Sequence, residues 1–290
     1  MSFNRNHLIG AIATVGLVVP GVAMAATIEG GPGNDRLRGT MAADIINGNG
    51  GNDRIRGLAS DDQLSGGTGN DRVFGGKDND VVSGGPRNDW LNGGPGDDRV
   101  SGDVNAVGDL TSFDRIFGGP GNDTLKGGDA ADRINGGSGN DSSFGENGND
   151  RMNGGTGDDA QDGGTGNDTI FANIGQDISS GGDGNDVLWA LARSDVRPGP
   201  NGETDMAGDK LDGGAGNDIL RTRDGEGDLI TCGDGIDLAL LDQVDVITDA
   251  TPENQNGSCE MVKRHAPKPR ESKTEDAQQR QSDEDERIPS

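Results

Sequence analysis

The chain has 290 residues, of which 54 are glycine, and its 51 acidic side chains against 25 Lys and Arg give a formal net charge of −26. Only 29% of residues are hydrophobic and 3% aromatic, with no tyrosine. A conventional globular enzyme of this length would be nearly half apolar, so that class is excluded. The acidity also argues against nucleic acid as a partner, because phosphate binding needs clustered Lys and Arg. Scattered glycine and acid would mean disorder; periodic glycine and acid would mean a repeat architecture.

The first element in chain order is an address. Arg5 lies in a short polar region, Leu8 to Val19 is apolar, and Ala23-Met24-Ala25 fits a small-x-small cleavage site. Residues 1–25 read as a secretory signal peptide, with Ala26 as the mature N-terminus. The apolar run is short for a bilayer span, and no later stretch is apolar enough to be one. The expectation is a secreted, extracellular protein with no membrane span in its mature form.

From Gly30 the chain falls into rows of nine: GGPGNDRLR, GTMAADIIN, GNGGNDRIR, GLASDDQLS, GGTGNDRVF, GGKDNDVVS, GGPRNDWLN and GGPGDDRVS, without a slip to Ser101. A second unbroken run goes from Gly118 to Trp189. Insertions near 102–113 and 190–208 interrupt the pattern, and weaker rows continue to about residue 248. The sixth position is Asp in every row. The strongest set is Asp35, Asp53, Asp71, Asp80, Asp89, Asp98, Asp123, Asp141, Asp150, Asp159, Asp168, Asp186, Asp218 and Asp237. Asp44, Asp62, Asp132 and Asp177 stand in rows that have lost glycines, and Asp114, Asp209 and Asp228 beside insertions or register slips. Asp245 closes the series. The eighth position is usually aliphatic, as in Leu37, Ile46, Ile55 and Leu64.

The motif GGxGxDx(aliphatic)x resembles the hemolysin-type calcium-binding repeat (RTX nonapeptide) family. The resemblance covers 30–189 almost continuously and weakens to about 248. It implies an all-β fold, a parallel β-roll (a β-solenoid) over 26–248, in which six residues of each row turn and bind metal and three form a strand. Two rows complete one coil. It also implies multiple calcium ions, with the sixth-position aspartates as ligands. The residue chemistry agrees independently. Glycine at positions 1, 2 and 4 permits positive φ and turns carbonyl oxygens inward, Asp adds a hard anionic oxygen, and calcium takes six to eight such oxygens. Stacked coils place Asp35, Asp53, Asp71 and Asp89 in one column and Asp44, Asp62, Asp80 and Asp98 in the other. One aliphatic side chain per nine residues returns less than the entropy of ordering them, so the apo chain is expected to be largely unfolded.

Three departures from the pattern stand out. Ser143, Gln161 and Ser179 replace the aliphatic residue at position 8 on one face, read either as drift compensated locally by Phe144 or Ile178 or as a softened, hydrated sheet that meets a partner. Position 7 repeats arginine, as Arg36, Arg54 and Arg72 and again as Arg115, Arg133 and Arg151, a set read either as solvated charge or as a polyanion contact. Trp90 and Trp189 point outward by pattern.

At the C-terminal end the two cysteines, Cys232 and Cys259, read as a disulfide in an exported chain, the alternative being two free thiols. They close a cap segment over 249–263. Residues 264–290, rich in mixed charge, read as a disordered tail.

Only His7 and His265 exist, both outside the repeats. That removes a Ser-His-Asp triad and an HExxH zinc site, and the expectation is a protein without catalysis. The partners expected are calcium and, as the alternative role, a cell-surface glycan or another surface protein bound by an adhesin or surface-layer component. A carbohydrate-active β-helix enzyme ranks below both.

Overall fold

The structure is a computed structural model that describes residues 12–15, 24–103, 112–190, 208–222 and 226–264. The insertion tips at 104–111 and 191–207, most of the leader, and the tail beyond 264 lie outside the described residues, and so do the expectations stated for them.

The chain winds as a parallel β-solenoid with two sheets, one of 14 strands and one of 12. Successive strands alternate between the sheets, so two nine-residue rows make one coil. The 14-stranded sheet takes the even rows, for example Ile45–Asn47, Gln63–Ser65 and Val81–Ser83. The other takes the odd rows, for example Arg36–Arg38, Arg54–Ala59 and Arg72–Lys77. Pairing is parallel and in register by row position: Leu37 meets Ile55, and Ile55 meets Val73. The exception is Ile12–Val15, which pairs antiparallel with Ala26–Glu29 at the N-terminal edge.

Period-two alternation inside each short strand explains the core. Position 8 points inward and positions 7 and 9 outward, giving the buried pattern seen in Arg36–Arg38 and Gln63–Ser65, although Phe117 and Phe171 at position 9 are covered by their neighbours and buried. The inward side chains of both sheets form one apolar ladder, from Ile28 and Leu37 to Ala239 and Ile247. Among the described residues no helix is long and apolar enough to cross a membrane.

Ser143, Gln161 and Ser179 are buried, as their position requires. Phe144 and Ile178 do not compensate them: both sit at outward positions, and Ile178 is 55% exposed. Two of the polar rungs, Gln161 and Ser179, are instead matched to each other. One orientation of the Gln161 amide donates to Phe171 O at 3.1 Å and to Ser179 Oγ at 3.2 Å, and accepts from Gly154 N–H at 3.0 Å. Phe171 and Gly154 belong to the opposite side of the coil, so Gln161 ties the two sheets through the core. Ser143 Oγ is buried without a partner.

The insertions are absorbed within single coils. The N–H of Asp89 bonds Asp114, 25 residues on, and that of Asp186 bonds Asp218, 32 residues on. Before and between the insertions the corresponding step is 18, and in the C-terminal rows it is 19, from Asp209 to Asp228 and from Asp218 to Asp237. The first insertion therefore joins the two sequence-separated arginine series. Arg72 pairs with Trp90, Trp90 with Arg115, and Arg115 with Arg133, all in one sheet.

Cys232 and Cys259 form a disulfide, and both are buried. The segment after it mimics one more row. Met261–Arg264 pairs parallel with Leu238–Leu241. Ser258 Oγ accepts the N–H groups of Cys232 and Gly233, at 2.9 and 3.1 Å. Those donors would otherwise be orphans at the end of the roll.

Candidate metal centre

The sixth-position aspartates line two columns, one along each edge where the sheets meet. All of those described except Asp35 are buried, most of them at 3% exposure or less. Each column is a hydrogen-bonded ladder. The backbone N–H of one Asp donates to Oδ1 of the Asp one coil later: Asp35 to Asp53, Asp53 to Asp71, and Asp71 to Asp89, each at 2.7 Å. The series continues through Asp114, Asp132, Asp150, Asp168, Asp186, Asp218 and Asp237. The other column runs from Asp44 through Asp62, Asp80, Asp98, Asp123, Asp141, Asp159, Asp177, Asp209 and Asp228. It ends on Asp245, whose Oδ1 accepts from Asp228 N–H at 3.3 Å.

This uses one oxygen per carboxylate and leaves the other. In the first two rows the spare oxygen is satisfied within its own turn: Gly31 N–H donates to Asp35 Oδ2 and Thr40 N–H to Asp44 Oδ2. Further along, the position-2 N–H turns to a carbonyl of the next coil, as Gly67 does to Gly84 O. Oδ2 is then buried with no hydrogen-bond partner at Asp53, Asp62, Asp71, Asp80, Asp89, Asp98, Asp123, Asp132, Asp141, Asp150, Asp159, Asp168, Asp177, Asp186, Asp218 and Asp237. A buried carboxylate oxygen without a partner is costly unless it is protonated or meets a cation.

The electrostatics of the columns point the same way. Burial pushes the carboxyls up, against the opposing pull of the backbone N–H, and the neighbouring aspartates of the column add to the rise. Asp71 reaches about 6, Asp80 and Asp141 about 7, and Asp89, Asp132 and Asp177 about 9. Near neutral pH such columns bind either protons or metal.

Position 1 shows where metal ligands converge. Glycine there relieves crowding, with Ala172 and Cys232 the buried exceptions, whereas positive φ governs positions 2 and 4, as at Gly67 and Gly69. A Cβ on Gly48 would collide with Asp53 Oδ2 and with the carbonyl oxygen of Gly66 in the next coil, and Gly136 faces Asp141 Oδ2 and Gly154 O in the same way. An anionic oxygen and a carbonyl oxygen thus share one small space in these turns. Among the described residues no group of three or more His, Cys, Asp or Glu gathers as a metal cluster. A cation held here would take carboxylate and carbonyl oxygens together, which suits calcium and not zinc.

Rows with lost glycines keep the geometry. Among the described residues, every non-glycine residue with positive φ stands at position 2 or 4: Asn49, Leu58, Ser60, Asp78, Arg87, Ala130, Glu146 and Asn173. The stacked coils force the turn where the side chain disfavours it, so Asp62, Asp132 and Asp177 sit in the columns like the rest. Asp44 joins its column at the N-terminal end, with both oxygens bonded to backbone N–H groups.

Two features escape the motif. Position 5 forms an exposed ladder of its own, running the opposite way: Asn52 N–H donates to Asn34 Oδ1 and Asn70 N–H to Asn52 Oδ1, at 2.8 and 2.9 Å. The recurrent Asn-Asp pair therefore clamps each turn to both neighbours, and its repetition was the available signal. The second is Glu260, whose Oε2 accepts the Asp237 N–H at 2.8 Å and ends that column. Its spacing of 23 breaks the period, so no pattern pointed to it.

A family model for the RTX calcium-binding nonapeptide repeat (4 copies) matches residues 21–55, 47–82, 74–105, 111–142, 144–160, 162–188 and 207–231. The chain belongs to the RTX calcium-binding repeat family. No curated protein matches this RTX chain. Among solved structures it is similar to a hyperactive, Ca2+-dependent, beta-helical antifreeze protein from an Antarctic bacterium, at 23% identity and a TM-score of 0.48, over 88% of this chain and 81% of that one. The RTX roll is a calcium-binding β-solenoid with multiple calcium sites.

Proposed function

We propose that this protein is exported and folds on calcium outside the cell, and that its role is structural or interactive rather than catalytic. The observation that carries this reading is the pair of buried aspartate columns, in which most residues keep one oxygen that no hydrogen reaches. The sixth-position aspartates supply the anionic ligands. The position-1 carbonyls, such as Gly66 O, supply neutral ones. Bound calcium would neutralise the columns and cross-link successive coils, so metal affinity is folding free energy. The leader supports export, and low cytosolic calcium would keep the chain unfolded until it leaves. Absence of catalysis is supported by the repeats having no histidine and by their buried carboxylates being engaged in the ladders.

Far-UV circular dichroism in calcium and in EGTA, with calorimetric calcium titration, tests the reading. The expected result is a β-rich spectrum in calcium, a largely disordered one in chelator, and multiple ions bound per chain. An identical ordered spectrum in chelator would sink it. The second reading, a calcium-organised surface protein that holds a glycan, is favoured by the outer face of the 12-stranded sheet.

A further inference from the structure

That outer face differs from the rest of this acidic molecule. At its outward strand positions stand Arg36, Arg54 and Arg72, then Arg115, Arg133 and Arg151, and from Arg36 to Arg221 these positions hold no Asp or Glu. With Trp90 between the two sets, they form one in-register column. Parallel strands repeat at about 4.8 Å, so like charges are stacked at that spacing. Arg36, Arg54, Arg72 and Arg115 form no ion pair among the described residues. The Nε atoms of Arg54 and Arg115 are buried without a partner. Stacked guanidinium groups, these four without an ion pair, point to a ligand that brings the opposite charge.

The neighbouring column adds the rest. Its Phe74 and its buried Phe117 flank Trp90 of the arginine column, with ring centroids 4.7 and 5.4 Å from the Trp90 ring. Beside it runs an open groove of about 420 Å³, lined by Phe117 and by the amides of Asn92, Asn135 and Asn153. The opposite sheet shows no such separation, since its outward positions mix Arg99, Lys126 and Lys210 with Glu29, Asp162 and Asp212.

We propose that this face binds a linear polyuronate, a polysaccharide with a carboxylate on each sugar. A sugar unit is about as long as one strand spacing, so successive carboxylates would meet successive guanidinium forks. The half-buried rings of Phe74 and Trp90 offer apolar surface to sugar C–H groups, and the Asn92 amide offers donors and an acceptor to hydroxyl groups. Single-stranded nucleic acid fits less well. Its bases stack on successive aromatic faces along the strand, and the column holds arginines with Trp90 alone between them.

The proposal rests on the calcium reading, because the face exists only in the folded roll. The test is calorimetric titration of the calcium-loaded full chain with a short oligogalacturonate. The variants are the triple substitution Arg54→Gln, Arg72→Gln, Arg115→Gln and, as control on the other sheet, Arg99→Gln. The triple variant is expected to bind about ten- to hundredfold more weakly, with Arg99→Gln within about twofold of the parent chain. Circular dichroism in calcium reports folding for each. If the triple variant loses its calcium-induced spectrum, Arg72→Gln, whose side chain is exposed, replaces it, with an expected loss of about two- to fivefold. Unweakened binding by the folded variant would overturn the proposal. So would absence of binding by the parent chain, or tighter binding of oligothymidylate at the same ionic strength. A chain that gains no structure on calcium addition refutes the calcium reading. A chain that folds and ignores the oligosaccharide refutes only this one.

Discussion

Residues 48–101 and 136–180 have the same backbone and different cores. Both have the same turns, the same Asn and Asp ladders, and parallel pairing in register. In the first, Ile55, Leu64, Val73, Val82, Leu91 and Val100 fill the interior from both sheets. In the second, one sheet presents Ser143, Gln161 and Ser179, while Met152 and Ile170 opposite remain apolar. The coil geometry survives the loss of half its apolar rungs. Shape is therefore dictated by the turns and their ladders, and the core contributes stability without specifying the path.

The most severe test removes what the two regions share. Chelation with EGTA is expected to abolish ordered structure in both together, because both columns lose the cations that meet their spare oxygens. Circular dichroism with region-resolved hydrogen exchange checks it. If 48–101 stayed protected while 136–180 melted, the core would outrank the ladders.

Protons should substitute in part for the metal. The folded-state carboxyls are raised, to about 6 at Asp71 and about 9 at Asp89 and Asp132, by burial first and by neighbouring aspartates second. A raised pKa means that the folded form binds protons more tightly than the unfolded chain. The stabilisation is complete below the ordinary carboxylate range and is lost as pH rises through about 6 to 9. In chelator the chain is expected to gain β structure as pH is lowered from 9 to 5. No change in the spectrum across that window would contradict the role of the columns.

How much of this is legible in the sequence follows from what repeats. Asp at position 6 and the aliphatic residue at position 8 recur every nine residues, so the coil, the register and both columns could be written down from them. Three things could not. The union of the two arginine series depends on an insertion closing within a single coil, as Arg72, Trp90 and Arg115 show. The end of the roll depends on Glu260 and Ser258, which repeat nothing. The role of position-1 glycine depends on crowding between coils, where a Cβ on Gly66 would meet Gly84 O; composition suggested only freedom of φ.

Single substitutions separate the two cores by sign. Ile55→Ala removes a fully buried side chain and is expected to cost about 2–5 kcal/mol in calcium. Ser143→Ala removes a buried hydroxyl without a partner and is expected to stabilise by about 1 kcal/mol. Calcium-saturated urea unfolding measures both. Two losses of similar size would mean that the polar rungs pack as well as the apolar ones.

The subtlest difference concerns local opening in the intact, calcium-loaded roll. Opening a coil in 48–101 exposes an aliphatic side chain from each sheet. Opening one in 142–180 exposes an aliphatic side chain from one sheet only, while the hydroxyl and amide groups of the other regain water. The Gln161 amide works against this, since its bonds to Phe171 O and Gly154 N–H hold the sheets together. A neutral hydrogen bond contributes about 1 kcal/mol net, less than the burial of a Leu or Ile at about 1.5–3 kcal/mol. The balance of about 0.5–2 kcal/mol favours opening of the polar stretch, and its amides are expected to exchange about two- to thirtyfold faster than those of 48–101. Gln161→Leu is the sharpening variant. If it slows exchange at 142–180 toward the rate of 48–101, the missing apolar rung is the cause. If it speeds exchange there, the amide clasp is the stronger of the two, and the polar core is a fastening rather than a weakness.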